Sequence, residues 1–450
     1  MTSEPYQETE AFFSDLFDRL FPLLRSITGP GLRGSYELLR QYMPLGIEQI
    51  PTGTQVFDWT VPKEWQCDEA YVLDPDGDVI IDMKDCNLHV VNYSAPVDAT
   101  VTLQELLTHV YSIPDKPTAI PYVCSYYKER WGFCMSDAQK QTLKDGNYRA
   151  VIKSRFIDGG VDIAQAKLEG RIDKEILVAS YLCHPSMANN ELSGPLVLLG
   201  LYHRIAKWPR RNHTFRFSMQ PETIGTLCML HRHFDELSAK AVAGVVLNMM
   251  GGNQERLTVK HSLFKDGLID KAARHLTANG QPFELMDFTP NSGADERHYA
   301  TPGIRIPVCN VTRDFYPAAY EGYHNSLDTK DYMRVSQLMK AIDEVEKLLL
   351  AADSCVCFEN LAPYGEPHLG PRGLYPTLNF VGGTKEEAER RAFEELCQIK
   401  WLTTLSDGDH DLIDIAERNN ANVLNMLDVV AKLEDLELLK LVPPKSLTEQ

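Results

Sequence analysis

Apolar residues recur at helical spacing through residues 8–28, where Phe12, Phe13, Leu16, Phe17, Leu20, Phe21, Leu23 and Leu24 precede Gly29-Pro30-Gly31. That period predicts a helix, and the Gly-Pro-Gly run ends it. A second helix is predicted from about Ser35 to Tyr42. From Thr52 to about Ser125 the pattern shortens. Phe57–Val61, Ala70–Leu73 and Val79–Ile81 read as strands, separated by turn residues such as Asp74-Pro-Asp-Gly-Asp78. This predicts a small β-rich domain, residues 51–125, inserted into a larger α/β domain built from 1–50 and 126–358.

Beyond about residue 145 strand and helix patterns alternate. Glu175–Cys183 is an apolar run suited to a buried strand, followed by a helical pattern over Pro195–Ala206. Thr214–Ser218, Ala241–Leu247 and Arg305–Cys309 read as strands; Leu268–Leu276 and Ser336–Ala352 read as helices. The alternation predicts an α/β fold with a mostly parallel, doubly wound sheet. Ligand sites in such sheets lie outside the carboxyl ends of the strands. A Gly/Pro-rich connector, 359–383, leads to helices Lys385–Leu405, Leu412–Glu417 and Val423–Leu433, with a turn at Ser406–Asp409 and a last apolar run Leu436–Val442. That order resembles a winged helix and is assigned to residues 376–445.

Charge narrows the possible partners. Asp and Glu outnumber Lys and Arg by 63 to 45, a formal charge of −18, which repels phosphate backbones. The C-terminal region follows suit, with seven Lys/Arg against fourteen Asp/Glu over 384–440. It is therefore expected to be a packing or self-association module, a route to a homo-oligomer, with no nucleic acid bound. Asp407, Asp409 and His410 are expected to be turn residues and not a second active site. No apolar stretch is long enough to span a bilayer, so no membrane partner is expected. The acidic N-terminus and ten scattered cysteines without a CxxC pair predict a cytoplasmic chain with reduced thiols.

Chemistry concentrates after the predicted strands. His184 follows the Glu175–Cys183 run, with Glu191 seven residues on; Gln220-Pro-Glu-Thr-Ile-Gly225 follows the next strand; Ser292–Arg297 and Tyr320–Thr329 come later. Imidazoles and carboxylates held at strand ends suit a zinc ion. The competing role for Glu191 and Glu222 is a carboxylate at a helix start, and for Asp295 an ion pair with Arg297. Tyr126, Tyr127, Trp131 and Phe133 read as either pocket wall or domain-interface core.

The set His184-Pro-Ser, Asn190-Glu-Leu-Ser-Gly194, Pro221-Glu222-Thr, Asp295-Glu-Arg and Tyr323-His-Asn-Ser-Leu-Asp-Thr329 resembles the zinc aminopeptidase superfamily, which includes leucyl aminopeptidases and glutaminyl cyclases. It is most similar to a subgroup with an inserted β domain and a C-terminal winged helix. The resemblance implies that His184 is the first metal ligand, His324 the last and Glu222 the general base. Asn190 then stands at the bridging aspartate, and Thr223 and Asn248 at further acidic ligands. Two zinc ions with so few anions would be badly compensated, so one zinc per chain is expected, held by His184, Glu191 and His324. Asp295 or Glu296 is expected to orient a ligand. The expected activity is aminopeptidase-type hydrolysis of an amide in a peptide or small molecule. Acyl transfer or cyclisation at the same site, and a non-catalytic binding protein on a degenerate fold, are the alternatives.

Overall fold

The computed structural model describes residues 5–126, 128–315, 320–375 and 385–442. Among these residues the strands of three or more are β1 (Gly46–Pro51), β2 (Glu64–Leu73), β3 (Val79–Asp82), β4 (Val97–Thr102), β5 (Asn147–Ile157), β6 (Gly160–Leu168), β7 (Glu175–Tyr181) and β8 (Thr214–Gln220). They continue with β9 (Ala241–Asn248), β10 (Thr258–Lys260), β11 (Glu284–Met286), β12 (Val308–Thr312), β13 (Cys357–Asn360), β14 (Asp407–Asp411) and β15 (Leu439–Val442).

Eight of them form the main sheet in the order β1-β6-β8-β7-β9-β12-β10-β11. The central strands β8, β7, β9 and β12 run parallel, while β6 and β10 join them antiparallel. Every residue of β7 is buried, as expected where both faces of a parallel sheet are covered. Alternation divides the load. Ile176 and Val178 face a core with helices Glu10–Leu20, Ser193–Ala206, Leu268–Ala278 and Val335–Asp353, and Leu177, Ala179 and Tyr181 face a second core with helix Ile224–Arg232 and the inserted sheet. The sheet is mostly parallel and wound on both faces, as the alternating pattern predicted.

The inserted unit is an antiparallel sheet, β3-β2-β5-β4. β2 pairs with β5 from Glu64↔Ile157 to Leu73↔Arg149, so a boundary at 125 leaves out the strand that joins β2 to β4. Three local readings also shift. The strand expected at Phe57–Val61 is a hairpin of Gln55–Val56 with Trp59–Thr60, turning at Phe57 with φ 52°. The strand expected at Arg305–Cys309 starts at Val308, because Arg305 is left-handed and Pro307 has no N–H to give. Asp407–His410 is not a turn: it opens β14, with Glu359↔Asp407 and Cys357↔Asp411 in register.

The C-terminal helices Lys385–Leu405, Leu412–Arg418 and Leu427–Asp435 pack on the sheet β14-β13-β15. β13 lies upstream of the expected start at 376, and residues 376–384 and 443–450 of that region lie outside the described residues. Helix Leu427–Asp435, placed where a recognition helix would be, is clamped to the α/β domain. Arg210 reaches Glu434 at 3.0 Å and Asp435 at 2.5 Å, and Arg171 reaches Glu434 at 2.5 Å. Lys271 lies between Asp411 (2.7 Å) and Asp414 (2.5 Å). No helix among the described residues is long and apolar enough to cross a membrane.

Gly194 sets how closely helix Ser193–Ala206 approaches the sheet. A Cβ there would stand 2.3 Å from Ser180 Oγ and 2.5 Å from the Leu247 carbonyl oxygen. Replacing it must push the helix off β7 and β9. Gly194→Ala is expected to cost about 1–3 kcal/mol in urea unfolding; unchanged stability would show that the two strands yield without strain.

Candidate functional site

The segment from Leu182 to Ser193, joining β7 to its helix, is buried throughout, so its backbone groups need partners inside the protein. Glu191 supplies one, accepting the Cys183 N–H, while its other oxygen stands 2.7 Å from His184 Nδ1. Arg25, fully buried, donates through Nε to the His184 carbonyl at 3.0 Å. Asp328 accepts from the N–H groups of Asn189 (2.8 Å) and Asn190 (2.9 Å) and from the Tyr320 hydroxyl (2.7 Å). Burial pushes the Asp328 carboxyl up to about 7 although these donors pull it down. Residues Ala188–Leu192 form a π-turn, a widened helical geometry frequent at functional sites.

Glu222, two residues past the end of β8, and His324, in the loop that follows β12, come together beside His184. Glu222 Oε2 lies 3.9 Å from His184 Nε2, and the rings of His184 and His324 are 5.4 Å apart. Tyr122 closes one side, its ring 4.9 Å from His184, and its hydroxyl bonds that of Tyr126. Burial pushes the Glu222 carboxyl up, and Asp295 adds to the rise. Burial also lowers His324 to about 3, helped by nearby His184, so its ring is neutral and able to ligate at ordinary pH. Two side chains here carry left-handed backbone, Thr223 with φ 62° and His324 with φ 56°. Non-glycine residues hold that conformation only where the surroundings impose it, often at functional sites.

The remaining candidates separate. Asp295 accepts from the Thr223 N–H at 2.8 Å and the Thr226 hydroxyl at 2.7 Å, so it holds the turn that carries Glu222. Glu296 lies apart from the cleft. It pairs with fully buried Lys260 and accepts the Ala294 N–H at 2.8 Å, which gives it a structural task in place of the expected orienting role. Among the aromatics, Tyr126 joins the site through Tyr122, Phe133 is core, and Trp131 stacks on His109 at 3.5 Å. Tyr127 lies outside the described residues.

The donors fit a single cation better than two. Asn248 Oδ1 accepts a hydrogen bond from Asn310 Nδ2 at 2.7 Å, and Thr223 offers no charge. Asn190 Oδ1 is buried without a hydrogen-bond partner among the described residues, an orphan that an ion would satisfy. Cys183, His184 and Glu191 offer atoms within 4.8 Å of one another. However, two donors sharing a tetrahedral zinc at about 2.0–2.1 Å stand roughly 3.3 Å apart. The 2.7 Å between Glu191 and Nδ1 is a hydrogen bond, so Nε2 is the ring nitrogen of His184 left to face Glu222. Sequence reasoning missed Arg25, Tyr122 and Asp328. Asp328 stood in the Tyr323–Thr329 motif, whereas Arg25 gave no signal of its own.

A mostly parallel sheet with imidazoles and carboxylates at its strand ends, joined to a winged helix, is the architecture of an aminopeptidase-like protein. The chain belongs to the family described as Domain of unknown function (DUF4910), whose model matches residues 14–354, and a winged helix-turn-helix model matches 356–441. A Clostridium acetobutylicum protein provisionally named a polysaccharide biosynthesis protein with aminopeptidase-like domain is 36% identical over 436 residues, 97% of each chain. A crystal structure from the same organism, described provisionally as a peptidase, superposes with a TM-score of 0.84 at 35% identity over 97% of each chain. The zinc aminopeptidase BSAP of Bacillus subtilis shares the fold, with a TM-score of 0.56 at 12% identity over 78% of this chain and 96% of its own.

The buried Lys260–Glu296 pair gives a test of the division between site and scaffold. Removing one partner strands the other charge away from water. Glu296→Ala is expected to lower stability by about 3–5 kcal/mol in denaturant unfolding. Unfolding at the wild-type midpoint would show that Glu296 is not part of the scaffold.

Proposed function

We propose that the chain is a metal-dependent hydrolase of aminopeptidase type, acting in the cytoplasm on an amide bond of a peptide or an amide-linked small molecule. The supporting observation is the convergence of His184 Nε2, Glu222 and His324 on one cleft while Glu191 is engaged at Nδ1. His184 and His324 would hold one zinc ion, and the unpartnered Asn190 Oδ1 would be available as a third donor. A zinc ion bound there supplies Lewis acidity toward the scissile carbonyl and toward water. Glu191 fixes the ring of His184 so that Nε2 faces the cleft, a task that carboxylates commonly perform for ligating histidines. Glu222, its carboxyl raised by burial, accepts a proton from the attacking water and passes it to the departing amine. Asp295 steadies the Glu222 turn through Thr223 and Thr226. The Clostridium relative's name ties its aminopeptidase-like domain to polysaccharide biosynthesis, which favours an amide-linked small molecule over a long polypeptide.

The acidic winged helix, docked through Leu427–Asp435, acts in this reading as a packing module with no nucleic-acid partner. Two imidazoles and a carboxylate gathered in one place, with His184 Nε2 3.9 Å from Glu222, favour a catalytic site over a non-catalytic relic.

Purified protein is expected to carry one zinc per chain by plasma mass spectrometry; two ions per chain would overturn the single-ion site. His324→Ala is expected to lose the ion. Glu222→Gln is expected to keep it and to lose about 10²–10⁴-fold in rate on a panel of aminoacyl anilides and N-acylated amino sugars, with unchanged thermal unfolding. A loss of stability matching the loss of activity would make both residues scaffold.

Removing the Glu191 carboxylate tests the orienting role separately. Glu191→Gln is expected to weaken zinc binding about 10–100-fold, read by competition with a chelating dye. Unchanged affinity would dismiss Glu191 from the site.

A further inference from the structure

The helix Lys385–Leu405 has two apolar sides. Ile399 and Leu402 are buried in the core of its own domain. On the opposite side Phe393 is 65% exposed and Trp401 36% exposed, and Cys397, half-buried, lies between them at four-residue spacing, which keeps the three on one stripe. The segment around exposed Tyr364 and Tyr375 lies alongside, with Glu366 accepting a hydrogen bond from the Tyr375 hydroxyl and standing 3.7 Å from Lys400. Monomer surfaces seldom gather large aromatics in this way.

We propose that this face pairs with the same face of a second copy of the chain, the two helices antiparallel across a two-fold axis through Cys397. The charge pattern names the occupant. With Cys397 on the axis, Phe393 falls opposite the second copy's Trp401, and Glu394 falls opposite its Lys400. Both pairs then recur by symmetry, as an isologous interface requires. Aromatic side chains sit at the centre and opposite charges at the rim, the usual distribution in a protein interface. The present partners of those charges are long and exposed, Lys400–Glu366 at 3.7 Å and Arg390–Glu394 at 3.9 Å. Such contacts contribute little, so both side chains are free to pair across the axis.

The test is light scattering on the full-length protein at micromolar concentration, with and without substitutions at the seam. The expected mass is twice that of the 50.9 kDa chain. Trp401→Glu is expected to weaken the dimer by about tenfold or more. Lys400→Glu is expected to weaken it by like-charge contact, and the exchange Glu394→Lys with Lys400→Glu is expected to restore it. Copper phenanthroline with oxygen, which takes up the two electrons released as two thiols join, should link the wild type and not Cys397→Ser. A monomer under these conditions, or a dimer that ignores both Trp401→Glu and the charge exchange, overturns the proposal. Each substitution lies outside the cleft, so zinc content and amide hydrolysis report independently on the proposed catalytic site.

Discussion

The connection between β7 and its helix is buried from Leu182 to Ser193, and the satisfaction of its backbone organises the molecule. Water cannot reach these amides, so every donor and carbonyl needs a protein partner. The partners come from distant parts of the chain: Arg25 from behind the first helix, Gln220 from the end of β8, and Asp328 from the loop after β12. Each partner also lies close to a residue of the cleft. Arg25 holds the His184 carbonyl, Gln220 precedes Glu222 by two residues, and Asp328 follows His324 by four. Satisfying the backbone and assembling the site are one structural act here.

The same economy governs charge. The cleft keeps few anions in play: Glu191 is bound to His184 and Cys183, Asp328 is saturated with donors, and Asp295 is engaged by Thr223 and Thr226. Glu222 remains, partly open and raised by burial. Glu296, adjacent to Asp295 in sequence, points the other way into Lys260. Neighbouring carboxylates thus take unrelated tasks because a helix start turns them to different sides.

In the C-terminal region the acidic character is spent on docking. Glu434, Asp435, Asp411 and Asp414 meet Arg210, Arg171 and Lys271 of the α/β domain. Helix Leu427–Asp435 is held at its C-terminal end by Glu434 and Asp435, while Asp428 and Lys432 stay exposed.

By itself the sequence determined the parallel core, the two main domain types and the residues worth attention, because those follow from local periodicity and from side-chain chemistry. Buried runs such as Glu175–Tyr181 and amphipathic helices such as Val335–Asp353 carry their own signal. The tertiary structure decided what depends on partners far along the chain. β5 completes the inserted sheet only through pairing with β2, Asp407–Asp411 becomes a strand only beside β13, and Glu191 is tied to His184 Nδ1 and the Cys183 amide only because the fold brings them together. Arg25 and Asp328 belong to the site for the same reason: hydrogen bonds between residues more than a hundred positions apart leave no trace in local pattern, whatever their contribution to the fold.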